Sequence, residues 1–188
     1  MLGIFLTIGS GVADAQSKVL VAYFSRTGEE HAVGNITKGN TKIIAEIISD
    51  KVGGDVFEIK PVKNYPADYK ECTKVASQEK AVKARPEILG EVENFEQYDT
   101  IFLGYPIWWG DMPMAVYTFL EKYNFDGKTI IPFCTHGGSG LSSTDQQIIL
   151  ACPNAKILQG FEIRGAVAQK NFSESEQKVS AWLKKIGF

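Results

Sequence analysis

Three short stretches of this chain combine residue types able to hold a small ligand. Ser25-Arg26-Thr27-Gly28 sets two hydroxyls beside a flexible glycine, so backbone N–H groups there can wrap an anion. The helix expected from Thr41 adds its positive dipole end nearby. Tyr105 to Pro113 puts Trp108 and Trp109 side by side in a loop with Pro106, Ile107 and Gly110, a flat apolar wall suited to stacking a planar ring. Thr135-His136-Gly137-Gly138-Ser139-Gly140 has little side-chain bulk, so its amides can approach the edge of a ligand.

Each stretch has a plainer use. Ser-x-Thr-Gly is a common turn, paired tryptophans also fill cores and interfaces, and a glycine run can simply lead into a helix. The run fails the hydrolase elbow pattern because Leu141 stands where its final glycine should be. Cys134 is expected in a strand and His136 in the loop after it, which separates them as a nucleophile and base. His31 has no second His or Cys at ligand spacing and is expected in solvent. Cys72, Cys134 and Cys152 form no CxxC and read as buried small side chains. An oxidising compartment would allow one disulfide, and spacing does not select the pair.

The elements that must position these residues follow from hydrophobic pattern. Val19 to Phe24 is a continuous apolar run, as in a central parallel strand covered on both faces. Ile43, Ile44, Ile47 and Ile48 recur at helical spacing from Thr41 to Val52, and Gly53-Gly54 ends them. Further strands are expected over Asp55–Ile59, Thr100–Tyr105, Thr129–Cys134 and Ala155–Ile163, the last interrupted at Gly160. Helices are expected over Tyr65–Ala84, Met114–Lys122, Ser143–Ala151 and Ser173–Ile186. Alternating strands and helices predict an α/β fold, a doubly wound parallel sheet in three layers, with ligands at the carboxyl ends of its strands. All three loops then fall at one edge of the sheet.

Length and composition agree with one globular domain. The chain has 188 residues, 44% of them hydrophobic and 22% charged. A net charge of −2 offers no field that would gather nucleic acid or an anionic membrane. Met1 to Gly11 is almost wholly apolar, and Ala13-Asp14-Ala15 has the small-x-small form of a cleavage site, although no Lys or Arg precedes the run. Residues 1–15 are therefore expected to be a signal peptide, residues 16–188 the domain, and the mature protein exported and periplasmic, with a cytoplasmic location as the alternative. The apolar run is too short to span a membrane.

Ala22-Tyr23-Phe24-Ser25-Arg26-Thr27-Gly28, followed by Gly39-Asn40-Thr41, resembles the flavodoxin phosphate loop, Ser/Thr-x-Thr-Gly-x-Thr. Leu103 to Gly110 and Pro132 to Gly140 resemble the two flavin-ring loops of flavodoxin-like proteins. The resemblance runs from Lys18 to the C-terminus. It implies a flavodoxin-like five-stranded sheet of order 2-1-3-4-5 and non-covalently bound FMN. It also implies cofactor contacts at Ser25, Arg26, Thr27, Gly28, Gly39, Asn40, Thr41, Pro106, Ile107, Trp108, Trp109, Gly110, Thr135, His136, Gly137, Gly138, Ser139 and Gly140. Gly110 resembles the glycine whose peptide flips to meet the flavin N5, and Asp111 would bring a negative charge near the ring.

One departure stands out: Glu29 to Lys38 splits the phosphate loop. The pattern is restored if this segment bulges outward and leaves Gly28 or Gly39 beside Asn40. Glu29 and Glu30 are then expected in solvent, away from phosphate, and Arg26 is expected to act first through its backbone. The resemblance implies an electron carrier serving a redox partner protein or small-molecule acceptor; the alternative is an FMN-dependent NAD(P)H:quinone-type reductase. A phospho-receiver would need acidic residues at the strand ends, and Ser25-Arg26-Thr27 and Pro106-Ile107 supply none.

Overall fold

The computed structural model describes residues 18–188, and the export signal expected at residues 1–15 lies outside the described residues. From the N-terminus come β1 (Lys18–Tyr23), β2 (Gly28–Glu30), β3 (Gly34–Ile36), α1 (Asn40–Val52), β4 (Asp55–Glu58) and α2 (Tyr69–Ala81). There follow β5 (Tyr98–Pro106), α3 (Met114–Lys122), β6 (Thr129–His136) and α4 (Thr144–Ala151). The chain closes with β7 (Lys156–Ile157), β8 (Phe161–Arg164), α5 (Gly165–Lys170) and α6 (Phe172–Ile186).

Strand alternation builds two cores. Leu20, Ala22, Ile101, Leu103 and Ile130 face one side of the sheet with Phe119 of α3 and Ile148 of α4. Val21, Tyr23, Phe102, Ile131 and Phe133 face the other with Ile44 and Ile48 of α1 and Trp182 of α6. The central strands β1, β5 and β6 are buried on both faces along most of their length, which is why their sequences hold long apolar runs. α1 stops at Gly53, whose φ of 65° is the left-handed value that glycine adopts freely. Asp68 starts α2 by accepting from Glu71 N at 2.8 Å, a cap that offsets the weak apolar pattern of that helix.

The sheet is parallel throughout, in the order β4-β1-β5-β6-β7, with β8 also pairing β6. β7 and β8 are two halves of one edge strand broken at Gly160, where a Cβ would lie 2.9 Å from Leu141 Cδ1 and 3.0 Å from Pro132 O. Counted so, the order is the expected 2-1-3-4-5. The order reverses between β1 and β5, and their carboxyl ends diverge there to leave a crevice.

Two features differ from expectation. β6 runs two residues further than its apolar stretch, because β8 pairs with Thr135 and His136 through Ile163 and Arg164. The segment splitting the first loop is a small antiparallel hairpin, β2–β3, in register Gly28↔Ile36 to Glu30↔Gly34. Among the described residues no helix is long and apolar enough to cross a membrane.

Candidate functional site

A cleft of about 350 Å³ opens at the carboxyl ends of β1, β5 and β6. That size falls within the range of small-ligand sites, which begins at about 300 Å³. Twelve of the residues expected there line it: Arg26, Asn40, Pro106, Ile107, Trp108, Trp109, Gly110, Thr135, His136, Gly137, Gly138 and Ser139. Ser25, Thr27, Gly28, Gly39, Thr41 and Gly140 lie outside its wall.

Those six have structural reasons for standing back. Ser25 Oγ accepts from Lys42 N at 3.1 Å, binding the loop to the first turn of α1. Thr41 and Thr135 share a buried hydroxyl–hydroxyl bond of 2.8 Å, which ties α1 to the end of β6. Gly39 closes the split loop, since a Cβ there would collide with Ser25 Oγ and Arg26 O. Gly28 instead leaves the loop with φ 108° against Ala67, and Glu29 N donates to Ala67 O at 2.8 Å. The halves of the interrupted loop therefore meet at Gly39, directly before Asn40. Thr27 is exposed, and Gly140 turns toward Cys134, whose Sγ donates to its carbonyl at 3.6 Å.

The tryptophan loop is a tight turn. Trp108 and Asp111 exchange backbone bonds of 2.9 and 3.1 Å, with Trp109 at φ 53° and Gly110 at φ 72°. Two consecutive positive φ values make a type I′ turn, which is costly for a bulky residue at its first central position. α2 holds it there: Trp109 Nε1 donates to Thr73 O at 2.9 Å, and Lys80 Nζ donates to Trp109 O at 2.7 Å. Trp109 remains 59% exposed, whereas Trp108 is wedged edge-on against Phe24 and Tyr65 at 5.3 and 4.9 Å. Asp111 accepts from Tyr117 Oη at 2.8 Å and from Met112 N at 2.7 Å, so its carboxylate serves the turn and α3.

His136 ends β6 with its ring buried. Nε2 is bonded to Glu162 Oε2 on β8, and Nδ1 is buried without a partner. The thiol of Cys134, two residues earlier, is bonded to Gly140 O and not to the ring, and burial pushes it well above the ordinary range. Cys134 and His136 therefore form no nucleophile–base pair. Cys72, Cys134 and Cys152 are all buried and free, so none is joined in a disulfide.

Seven lining residues were not foreseen: Glu30, His31, Tyr69, Cys72, Thr73, Ala76 and Gly165. Glu30 and His31 come from the hairpin, which folds toward the cleft. Its anchor is Arg26, whose side chain is 6% exposed. The guanidinium donates to Glu29 O at 2.5 Å and Ala67 O at 3.2 Å, and pairs with Glu30 at 3.2 Å. Glu30 is therefore half-buried rather than solvated, and burial raises its carboxyl above the usual range against the pull of Arg26. Burial likewise pushes the Cys72 thiol up to about 11, although Arg26 Nε lies 3.5 Å from Sγ. His31 is exposed as expected, yet it reaches the cleft, with its ring 5.9 Å from Tyr69 and beside Gly137. Gly165 leaves room for Asn40, with which a Cβ would collide.

The donor set suits a phosphorylated planar ligand. Gly39 itself offers no side-chain cap and Ser25 Oγ takes the Lys42 amide, which leaves the amides of Asn40 and Thr41 for an anion. Asn40 Oδ1 and His136 Nδ1 are buried polar atoms lacking partners. Among the described residues no cluster of His, Cys, Asp or Glu could hold a metal ion.

A family model for flavodoxins matches residues 18–186. This chain belongs to the flavodoxin family. Among solved structures, this flavodoxin-family chain is similar to a candidate flavoprotein of Bacteroides eggerthii, at 33% identity and TM-score 0.73, over 92% of this chain and 99% of that one. A second candidate flavoprotein, from Bacteroides uniformis, gives 32% identity and TM-score 0.73 over 89% and 98%. A Lactobacillus acidophilus flavoprotein in complex with FMN shares the fold, at TM-score 0.64 and 22% identity over 78% and 93%. No curated protein matches the chain. Family membership supports FMN as the cofactor.

Proposed function

We propose that this protein binds FMN non-covalently in the cleft and transfers electrons through it. The observation that carries the reading is the meeting, at the switch point of the sheet, of a helix start with free Asn40 and Thr41 amides, an exposed tryptophan and a glycine-rich strand end. FMN, when bound, supplies a ring that takes up and releases electrons. The chain binds and orients it. Amides of Ser25 to Thr27 and Gly39 to Thr41 hold the phosphate, helped by the dipole of α1. Arg26 does not reach for that phosphate, because its guanidinium is committed to the hairpin. Trp109 covers one ring face, while Trp108 backs the wall with Phe24 and Tyr65. Peptide groups of Gly110 and of Gly137 to Ser139 meet the ring edge, with Pro106, Ile107, Thr135 and His136 framing them.

The hairpin favours a second reading, an FMN-dependent NAD(P)H:quinone-type reductase. Glu30 and His31 wall one side of the cleft, which suits a small planar acceptor better than a flat protein surface. NADH or NADPH oxidation by FMN-loaded protein with a soluble quinone separates the two. Rapid multiple turnover supports the reductase; a single stoichiometric reduction with no quinone turnover supports the carrier. Export of the mature domain is part of the proposal, and the N-terminal residue of protein purified from its native cell tests it.

A further inference from the structure

We infer that His136, oriented by Glu162, accepts a hydrogen bond from the N3–H group of the flavin ring. This rests on the FMN reading above and names the residue that recognises the ring's polar edge.

The chain has two histidines, and both reach this cleft from positions 105 residues apart, His31 from the hairpin and His136 from β6. His136 is 8% exposed, and its Nε2 meets Glu162 Oε2. A carboxylate only accepts, so Nε2 carries the hydrogen, and in that tautomer the imidazole lone pair lies at Nδ1. That Nδ1 is buried without a partner. An unpaired buried acceptor is costly, and a ligand donor would satisfy it.

The polar edge of an isoalloxazine reads carbonyl, N–H, carbonyl. The Gly137-Gly138-Ser139 segment offers amide donors for carbonyls and no acceptor side chain apart from the Ser139 hydroxyl. His136 supplies the complementary acceptor for the N–H between them. The other charged or titratable groups on the cleft wall are His31, Tyr69, Cys72, and Glu30 held by Arg26, while Arg164 on β8 stands behind Gly138, its guanidinium 3.8 Å from the position of a Cβ there. Neither Arg164 nor His31 bonds Nδ1. Glu162 is thus a positioning residue that acts through the tautomer of His136.

The test compares FMN with its N3-methyl analogue by fluorescence titration of apo-protein. Wild type is expected to favour FMN roughly tenfold or more, and His136→Ala to bind FMN roughly fivefold weaker or more and lose most of that preference. His136→Gln keeps an amide oxygen as acceptor and should restore part of the preference, which also guards against a folding defect in the alanine variant. A preference unchanged in His136→Ala overturns the proposal, since the methyl group is then refused for bulk alone. Imidazole nitrogen NMR of apo-protein should show hydrogen on Nε2 and not Nδ1 of His136, and Glu162→Ala should mix the tautomers. Hydrogen on both nitrogens in wild type, or no change in Glu162→Ala, overturns it as well. Failure of wild type to bind FMN at all overturns the functional reading itself, a result distinct from equal binding of the two flavins.

Discussion

Trp109 Nε1 donates to Thr73 O at 2.9 Å, so an indole that is 59% exposed is tethered to α2 across the mouth of the cleft. The tether holds a bulky residue at φ 53°, a conformation that costs about 1 kcal/mol or more. Trp109→Gly removes that strain while adding unfolded-state entropy, so the melting temperature should move by only a few degrees. FMN affinity should fall by about 1 kcal/mol or more, because the ring loses its cover. Trp109→Phe keeps a ring without the bond to Thr73 and should bind between the two. Calorimetry and fluorescence titration of the three proteins check this; unchanged affinity in Trp109→Gly would remove the residue from the site.

Arg26 is the anchor of the hairpin. Arg26→Ala leaves the Glu30 carboxylate half-buried and unpaired and strips donors from Glu29 O and Ala67 O. A loss of about 2 kcal/mol or more is expected, below the full cost of a deeply buried pair because Glu30 keeps some solvent. Hydrogen exchange at Gly28 to Ile36 should accelerate far more than in β1 or β6. Equal acceleration everywhere would mean that Arg26 stabilises the whole fold and not the hairpin.

The pH dependence of that anchor has a definite sign. Burial raises the Glu30 carboxyl above its ordinary value, and the nearby Arg26 lowers it by less. Between the unfolded value of about 4.3 and the raised folded value, the native state binds more protons. Stability from this group therefore falls as pH rises through that window and is greatest below it. Glu30→Gln removes the linkage, so wild type should lose melting temperature relative to the variant as pH goes from acid toward neutral. Parallel curves would contradict the burial of Glu30.

Gly39 precedes Asn40 in the chain, and Gly165 packs against the Asn40 side chain. A Cβ at Gly39 would collide with backbone of the first loop, and one at Gly165 with the Asn40 amide. Gly39→Ala should destabilise the fold by about 2 kcal/mol and abolish FMN uptake, since the loop cannot close at α1. Gly165→Ala meets a movable side chain and should cost less stability, while weakening FMN binding through displaced Asn40. Thermal melts paired with titrations distinguish the two.

Much of this architecture could be read from residue pattern, because burial on both faces leaves long apolar runs such as Val19 to Phe24 and Thr129 to Cys134. The interruption at Gly160 is legible too, since glycine inside a strand pattern marks a break or a close approach, here by Leu141 and Pro132. The end of β6 was not, because Thr135 and His136 are polar; they are buried only because Thr41 and Glu162, distant in sequence, bond their side chains. The hairpin was equally hidden, as strands of three residues have no room for alternation. Arg26 gave no hint of its partners, which come from the hairpin and from Ala67 and Cys72. α5 escaped notice because it starts at Gly165, a residue that reads as loop and is needed for space under Asn40.

The most direct test is the flavin content and flavin selectivity of the purified protein. A yellow protein is expected, whose released flavin has the mass of FMN. Its apo-form should bind FMN roughly tenfold or more tighter than riboflavin, because the start of α1 and the closed first loop act on the phosphate. Colourless protein that fails to take up FMN, or equal binding of FMN and riboflavin, would contradict the account.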